Sequence, residues 1–240
     1  MKTIVAISGG GIAPNVLINK RIVELSKKSE PNTLFLPTAD GDTIAYFDEF
    51  KDHFSQLGCK CDALYLIRDK PTKEIIAEKM MNSDIIYVGG GNTFRMLQIW
   101  KKMGVDLLLR EAYEQGKVLC GGAICWFKYG NTDSRKNYNP EADLFKVTGL
   151  NWINALMCPH YDFDPERKPS LKKMMKKNQN LVALALDNCC AIEILEDQYR
   201  IISAQENAHA YKVYWQRGIF FEERIEQTET YQLLSDLLAK

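Results

Sequence analysis

Short apolar runs alternating with longer amphipathic stretches fill the first half of the chain and restrict it to a few architectures. Thr3–Ile7 is followed by a helix-patterned Asn15–Ser29, Thr33–Pro37 by Ile44–Leu57, and Ala63–Ile67 by Thr72–Met81. Asp84–Val88 then precedes helical sequence from Thr93 to Glu114, and Val118–Cys120 closes the series. Apolar runs of about five residues suit strands buried on both faces, and segments with a 3.6-residue period suit the helices that cover them. This rhythm predicts repeated βαβ units in a three-layer α/β/α fold with a mostly parallel sheet.

The C-terminal third reads differently. Leu181–Leu186, Ala191–Leu195 and Tyr199–Ile202 are separated by turn sequences at Asp187-Asn188 and Glu196-Asp197-Gln198. They predict hairpins or a meander that extends one sheet edge as antiparallel strands. Lys212–Trp215 and Ile219–Glu222 flank Gln216-Arg217-Gly218, a further hairpin signal, and Thr228–Lys240 is patterned as an amphipathic helix. Polar sequence from Asn131 to Pro140 reads as a long loop, of the kind that is usually functional or mobile. Nothing resembles a linker or a repeat, so residues 1–240 are expected to form one domain.

Charge and cysteine content narrow the function classes. Acidic and basic residues number 31 each, so no net field would hold the chain on nucleic acid or an anionic membrane, and small molecules or peptides are the expected partners. The longest basic run, Lys172, Lys173, Lys176 and Lys177, follows helical spacing and reads as a solvated helix face. No stretch is long and apolar enough to span a membrane, and the N-terminal run leads into glycines rather than a cleavage site, so a cytoplasmic location is expected. Seven scattered cysteines do not form a disulfide framework, and neither the Cys59/Cys61 spacing nor the adjacent Cys189 and Cys190 suits zinc, so no metal is expected.

Four segments have the residues and spacing for chemistry. Gly9-Gly10-Gly11 and Gly89-Gly90-Gly91 each follow a strand-like run, where open α/β sheets bind ligands. In the second, Asn92 or Thr93 can cap the following helix while free N–H groups at Gly90 and Gly91 converge on an anion, the geometry of an oxyanion hole. Leu119-Cys120-Gly121-Gly122-Ala123 predicts a strand, a tight turn and then an apolar helix, the plan of a nucleophile elbow, although no serine occupies it. Cys120 is either the nearest nucleophile or a buried thiol at a strand end. His160, in Cys158-Pro159-His160-Tyr161-Asp162, stands where a base for such a nucleophile belongs, and Asp133 in the polar loop is a candidate to orient it.

These segments resemble the dipeptidase E and cyanophycinase group of serine peptidases over nearly the whole length. The residues that carry the likeness are Leu34-Phe35-Leu36-Pro37-Thr38-Ala39, Tyr87-Val88-Gly89-Gly90-Gly91-Asn92-Thr93-Phe94, Gly122-Ala123-Ile124-Cys125-Trp126-Phe127, Gly130-Asn131-Thr132-Asp133-Ser134 and Cys158-Pro159-His160-Tyr161-Asp162. The resemblance implies a fold related to class I glutamine amidotransferases and hydrolysis of small peptides without a cofactor. It implies His160 as general base, Asp133 as third triad member, and an oxyanion or substrate-binding neighbourhood at Gly90, Gly91, Asn92 and Gly122. The family's preference for an aspartyl residue before the bond implies a cationic reader, for which Arg135 and Arg167 are candidates.

The departure is at the nucleophile, where the family pattern runs Gly-x-Ser-Ala-Gly-Ala. Counting back from Ala123 puts Cys120 on the serine, whereas counting forward from Asn92 puts Gly121 and Gly122 on the two elbow glycines with x-Ser-Ala absent. The registers differ by three residues, roughly 10 Å of extended chain, and cannot both hold in one strand. Three readings follow: a serine-type peptidase using another nucleophile such as Ser134 or Ser8, a thiol hydrolase using Cys120, or a non-catalytic protein that binds peptides or acidic metabolites.

Overall fold

The alternating half folds as patterned. The computed structural model describes residues 1–240, beginning β1 (Thr3–Ile7), α1 (Val16–Leu25), β2 (Asn32–Leu36), α2 (Ile44–Gln56), β3 (Lys60–Ala63), α3 (Lys73–Met81), β4 (Ile85–Val88), α4 (Thr93–Met103), α5 (Val105–Glu114) and β5 (Val118–Gly122). The helical stretch after Thr93 is two helices, because Gly104 takes a left-handed φ of 75° and ends α4. The third strand is Lys60–Ala63, so the expected run to Ile67 lies beyond it in a turn.

After β5 come β6 (Phe127–Thr132), β7 (Phe145–Thr148), β8 (Ile153–Cys158), α6 (Arg167–Lys177), β9 (Ala183–Leu186), β10 (Cys190–Leu195), β11 (Gln198–Ser203), β12 (Ala210–Gln216), β13 (Ile219–Ile225), β14 (Gln232–Leu233) and α7 (Leu234–Leu238). The expected terminal helix is confined to that last turn and a half, since Gln232 and Leu233 pair with β11 instead.

Strands β3, β2, β4, β5 and β1 pair in parallel, and β10, β11 and β14 continue the sheet beyond β1 in antiparallel register, the predicted C-terminal extension. A second, six-stranded sheet in the order β13, β12, β9, β8, β6, β7 was not foreseen. It takes β9 away from the expected meander, so the Asp187–Cys189 turn between β9 and β10 passes from one sheet to the other.

Alternation along the central strands assigns the layers. Val5, Phe35, Ile85, Tyr87 and Cys120 face α1 and α2 in one core, with Ile22, Phe50 and Phe54. Ile4, Ala6, Leu34, Ile86 and Leu119 face the other way, into a core shared with α3, α4, α5 and the second sheet's Ala155, Met157 and Leu184. The outer face of the second sheet packs on Leu171 and Met175 of α6. No helix is long and apolar enough to cross a membrane.

One charged residue lies inside the extension. Glu193 on β10 is fully buried and accepts hydrogen bonds from Arg21 (2.9 Å), Arg200 (2.9 Å) and the Tyr231 hydroxyl, tying α1 and the C-terminal segment to the sheet. Burial pushes the carboxyl pKa up, but these donors outweigh it and hold the group below its ordinary range. A group depressed in this way adds stability above its ordinary pKa and loses it as pH falls through the folded value. Glu193→Ala is expected to cost about 2–3 kcal/mol at neutral pH, discounted because both arginines can rehydrate. In urea unfolding the gap between wild type and Glu193→Gln should shrink on acidification.

Candidate active site

A cleft of about 240 Å³ opens where the carboxyl ends of β1, β4 and β5 meet the ends of β6 and β8. Its lining includes Gly9–Gly11, Gly89–Gly91, Gly121, Gly122, Asp133 and His160, so most of the nominated segments converge. A larger cavity of about 660 Å³ beside α6 holds none of them. The cleft is the candidate site because the chemistry is there.

Packing on both sides holds His160. Its backbone N–H donates to Ser8 Oγ at 2.9 Å, and Ser8 in turn donates to the Leu186 carbonyl at 2.7 Å, joining β1, β8 and β9. The ring lies against Gly9, where any side chain would collide with it, and the backbone adopts a left-handed φ of 55°. Nδ1 lies 2.7 Å from Asn188 Oδ1. An amide oxygen only accepts, so Nδ1 carries the proton and Nε2 presents its lone pair. Burial pushes the His160 pKa down, against the Asn188 hydrogen bond and with the help of Arg167, so the imidazole is a neutral base at neutral pH.

The expected orienting residue is elsewhere. Asp133 Oδ2 pairs with the buried Arg167 at 3.2 Å, and Arg167 also binds Asp164 Oδ2 at 3.1 Å and the Asn131 carbonyl at 2.5 Å. Asp133 therefore reaches the cleft without contacting the imidazole, and Asn188 takes the position proposed for it. The sequence marked Asn188 only as a turn residue, and its pairing with a histidine 28 positions away has no local signature. Of the two arginines considered as readers of an acidic side chain, Arg167 lines the cleft, whereas Arg135 is exposed over the Phe145 ring, 4.2 Å from its centroid.

The glycine turn and its cap are also placed. Asn92 is buried and accepts from Arg95 N–H at 2.9 Å, capping α4, while its Nδ2 donates to the Ser134 carbonyl and Asn137 Oδ1. Its polar atoms are thus used in the frame and do not point to a ligand, contrary to the substrate-binding role expected of it. Gly90 N–H donates to the Tyr46 hydroxyl at 3.0 Å, and Gly91 N–H has no protein partner. Tyr46, on α2, lines the cleft and was not singled out in the sequence.

No elbow follows β5. The strand ends at Gly122, a 3₁₀ turn covers Ala123–Trp126, and β6 begins at Phe127, so the expected apolar helix is absent. Gly121 abuts the Val88 carbonyl, where a side chain could not fit. Cys120 is opposite Val5 and Tyr87 in the middle of the sheet, fully buried, with its Sγ 3.6 Å from the Ile86 carbonyl. Burial pushes its thiol pKa far up, the reverse of an activated thiolate. Placement therefore corrects the expectation of a Cys120 nucleophile: strand alternation turns the side chain into the core with α1 and α2. Ser134 Oγ is buried 2.8 Å from Thr132 Oγ1 and accepts from Phe94 N–H, and Ser8 is committed as described. No hydroxyl or thiol is hydrogen-bonded to His160 Nε2.

A histidine and a glycine turn thus meet at the carboxyl ends of a parallel sheet, where open α/β proteins bind their ligands. The chain belongs to peptidase family S51, whose model matches residues 4–202. It is 36% identical over 220 residues to the uncharacterized peptidase YgaJ of Bacillus subtilis (strain 168), covering 89% of this chain and 92% of that one. An uncharacterized peptidase of Listeria innocua is 28% identical over 75% of this chain and 90% of its own. Among solved structures, a peptidase from an acI-B1 Actinobacterium superposes with a TM-score of 0.74 at 14% identity, covering 97% of both chains. A peptidase E-type protein of Listeria monocytogenes EGD-e does so with a TM-score of 0.64 at 24% identity, covering 85% of this chain and 98% of that one.

The His160–Asn188 pair makes a direct prediction. Asn188→Asp puts a carboxylate against Nδ1 and is expected to raise the His160 pKa, whereas Asn188→Ala should leave it low and the ring less fixed. Titration of the His160 ring signals by NMR measures both.

Proposed function

We propose that this chain is a peptide-binding member of the S51 family that has lost covalent catalysis and takes up short peptides, including those with an acidic first residue, in the cleft. The observation that carries the reading is the four-residue turn at Ala123–Trp126, which leaves His160 Nε2 with no hydroxyl or thiol to activate. Removing the nucleophile of a triad costs several orders of magnitude in rate, and what remains comes from binding and oxyanion contacts. The orienting group is changed as well. An amide at Nδ1 fixes the imidazole tautomer, as a carboxylate would, but gives no counter-charge to the imidazolium that forms when the base takes a proton. Family membership supports a peptide ligand. Arg167 is the cation nearest the cleft, but it is already committed to Asp133, Asp164 and the Asn131 carbonyl, so the acidic first residue rests on the family resemblance and not on a free charge in the cleft.

A thiol hydrolase reading has no comparable support, since Cys120 is inside the sheet core.

The test pairs binding with restoration. The unaltered protein is expected to bind an aspartyl dipeptide saturably by calorimetry and to hydrolyse it no faster than background. Inserting x-Ser-Ala between Gly121 and Gly122 rebuilds the family elbow and should raise turnover by at least about a hundred-fold, a gain that His160→Ala abolishes. Hydrolysis by the unaltered protein that is lost in His160→Ala would overturn the proposal, and so would the absence of any dipeptide binding.

A further inference from the structure

Four of the lysines of helix α6 stand in two adjacent pairs, Lys172–Lys173 and Lys176–Lys177, and the two members of each pair face different ways. Lys172 and Lys176 lie over the rings of Phe220 and Trp215, 5.1 and 6.0 Å from the centroids, so this half of the run covers aromatic surface on the β12–β13 hairpin. Lys173 and Lys177, one residue further on, are turned about 100° around the helix. They line the groove of about 660 Å³ between α6 and the chain at the start of β7. Both are exposed, and neither has an ion-pair partner.

The groove has three properties that bear on an occupant. Its apolar surface comes from Leu144, Phe145 and Met174. Its charge is positive: Glu166 is already paired with Lys136 at 2.8 Å, which leaves Asp143 against Lys146, Lys173 and Lys177. One wall is the start of β7, Phe145 and Lys146; β7 is the edge strand of the second sheet, and α6 packs on that sheet's face. Lys146 on this edge strand discourages strand pairing, so an acidic occupant would be held through its side chains.

We infer that this groove docks an extended acidic peptide segment of a partner protein, laid between α6 and the start of β7. Alternate apolar side chains of the segment rest on Leu144, Phe145 and Met174, and its carboxylates meet Lys173 and Lys177. The groove and the cleft share no lining residue, although Glu166 and Arg167 place them on neighbouring sides of the start of α6. The groove's occupant is therefore not the dipeptide proposed above.

Fluorescence anisotropy of a labelled, terminally blocked peptide of about eight residues, alternating Glu with Leu or Val, tests the inference on the intact protein. Saturable binding is expected, weakened at least about ten-fold by Lys173→Glu with Lys177→Glu, and again by raising salt from about 0.05 to about 0.5 M. The control, Lys172→Glu with Lys176→Glu on the aromatic face, should change affinity by less than about two-fold while both double variants keep their Tm. Four outcomes would overturn the inference: no saturable binding, equal loss in the two double variants, displacement by an aspartyl dipeptide, or equal binding of a single-stranded oligonucleotide of the same charge.

Discussion

Only four residues separate β5 from β6, and much of the molecule's arrangement depends on that short link. Ala123–Trp126 must carry the chain from the middle of the first sheet to the strand next to the edge of the second one. The link is tightly held: Trp126 Nε1 donates to the Gly121 carbonyl at 3.0 Å, and the carbonyls of Cys125, Trp126 and Phe127 accept from the N–H groups of Leu150, Trp152 and Asn151 respectively, in the segment leading to β8. Ile124, Cys125, Trp126 and Phe127 all enter the core that the two sheets share. A chain so short and so fully packed brings the sheets together at the cleft, and it leaves no slack for a residue to stand up from a strained turn with an exposed side chain.

The basic half of the site persists because its geometry does not depend on the missing half. Three structural bonds hold His160, from its own N–H to Ser8, from Ser8 to the Leu186 carbonyl, and from Nδ1 to Asn188, and each joins a different pair of elements. Ser8 and the backbone of His160 would be needed to join β1, β8 and β9 even in a protein that catalysed nothing. Retention of a well-formed histidine is therefore compatible with loss of turnover. The informative atoms are the unpaired ones, Nε2 of His160 and the N–H of Gly91, both on residues that line a ligand-sized space.

How much of this was legible in the sequence follows from the range of each interaction. Parallel strands buried on both faces announce themselves as continuous apolar runs, so β1, β2, β4 and β5 were readable, and the glycine turns behind two of them marked the cleft. The second sheet was not readable, because β6 and β7 mix aromatic, lysine, glycine and polar residues and carry no sustained apolar run. Strand type was clear for β9 and β10, yet nothing local assigns them to different sheets. Asn188 and Tyr46 belong to the same class of omission: each acts through a partner far along the chain, His160 and Gly90 respectively, and each has an ordinary local reading as turn or helix residue.

The lysine run of α6 shows the same limit from the other side. A 3.6-residue period with charges at adjacent positions predicts a solvated face, which is correct as far as exposure goes. Adjacent residues on a helix are nevertheless about 100° apart, so the two members of an adjacent lysine pair cannot share one surroundings. Lys172 and Lys176 are accounted for by the aromatic rings of the β12–β13 hairpin, and that assignment isolates Lys173 and Lys177 at the groove. Charge that a sequence presents as a single uniform patch is divided by the fold into a part that covers apolar surface and a part with no partner in the chain. Only the second part bears on binding.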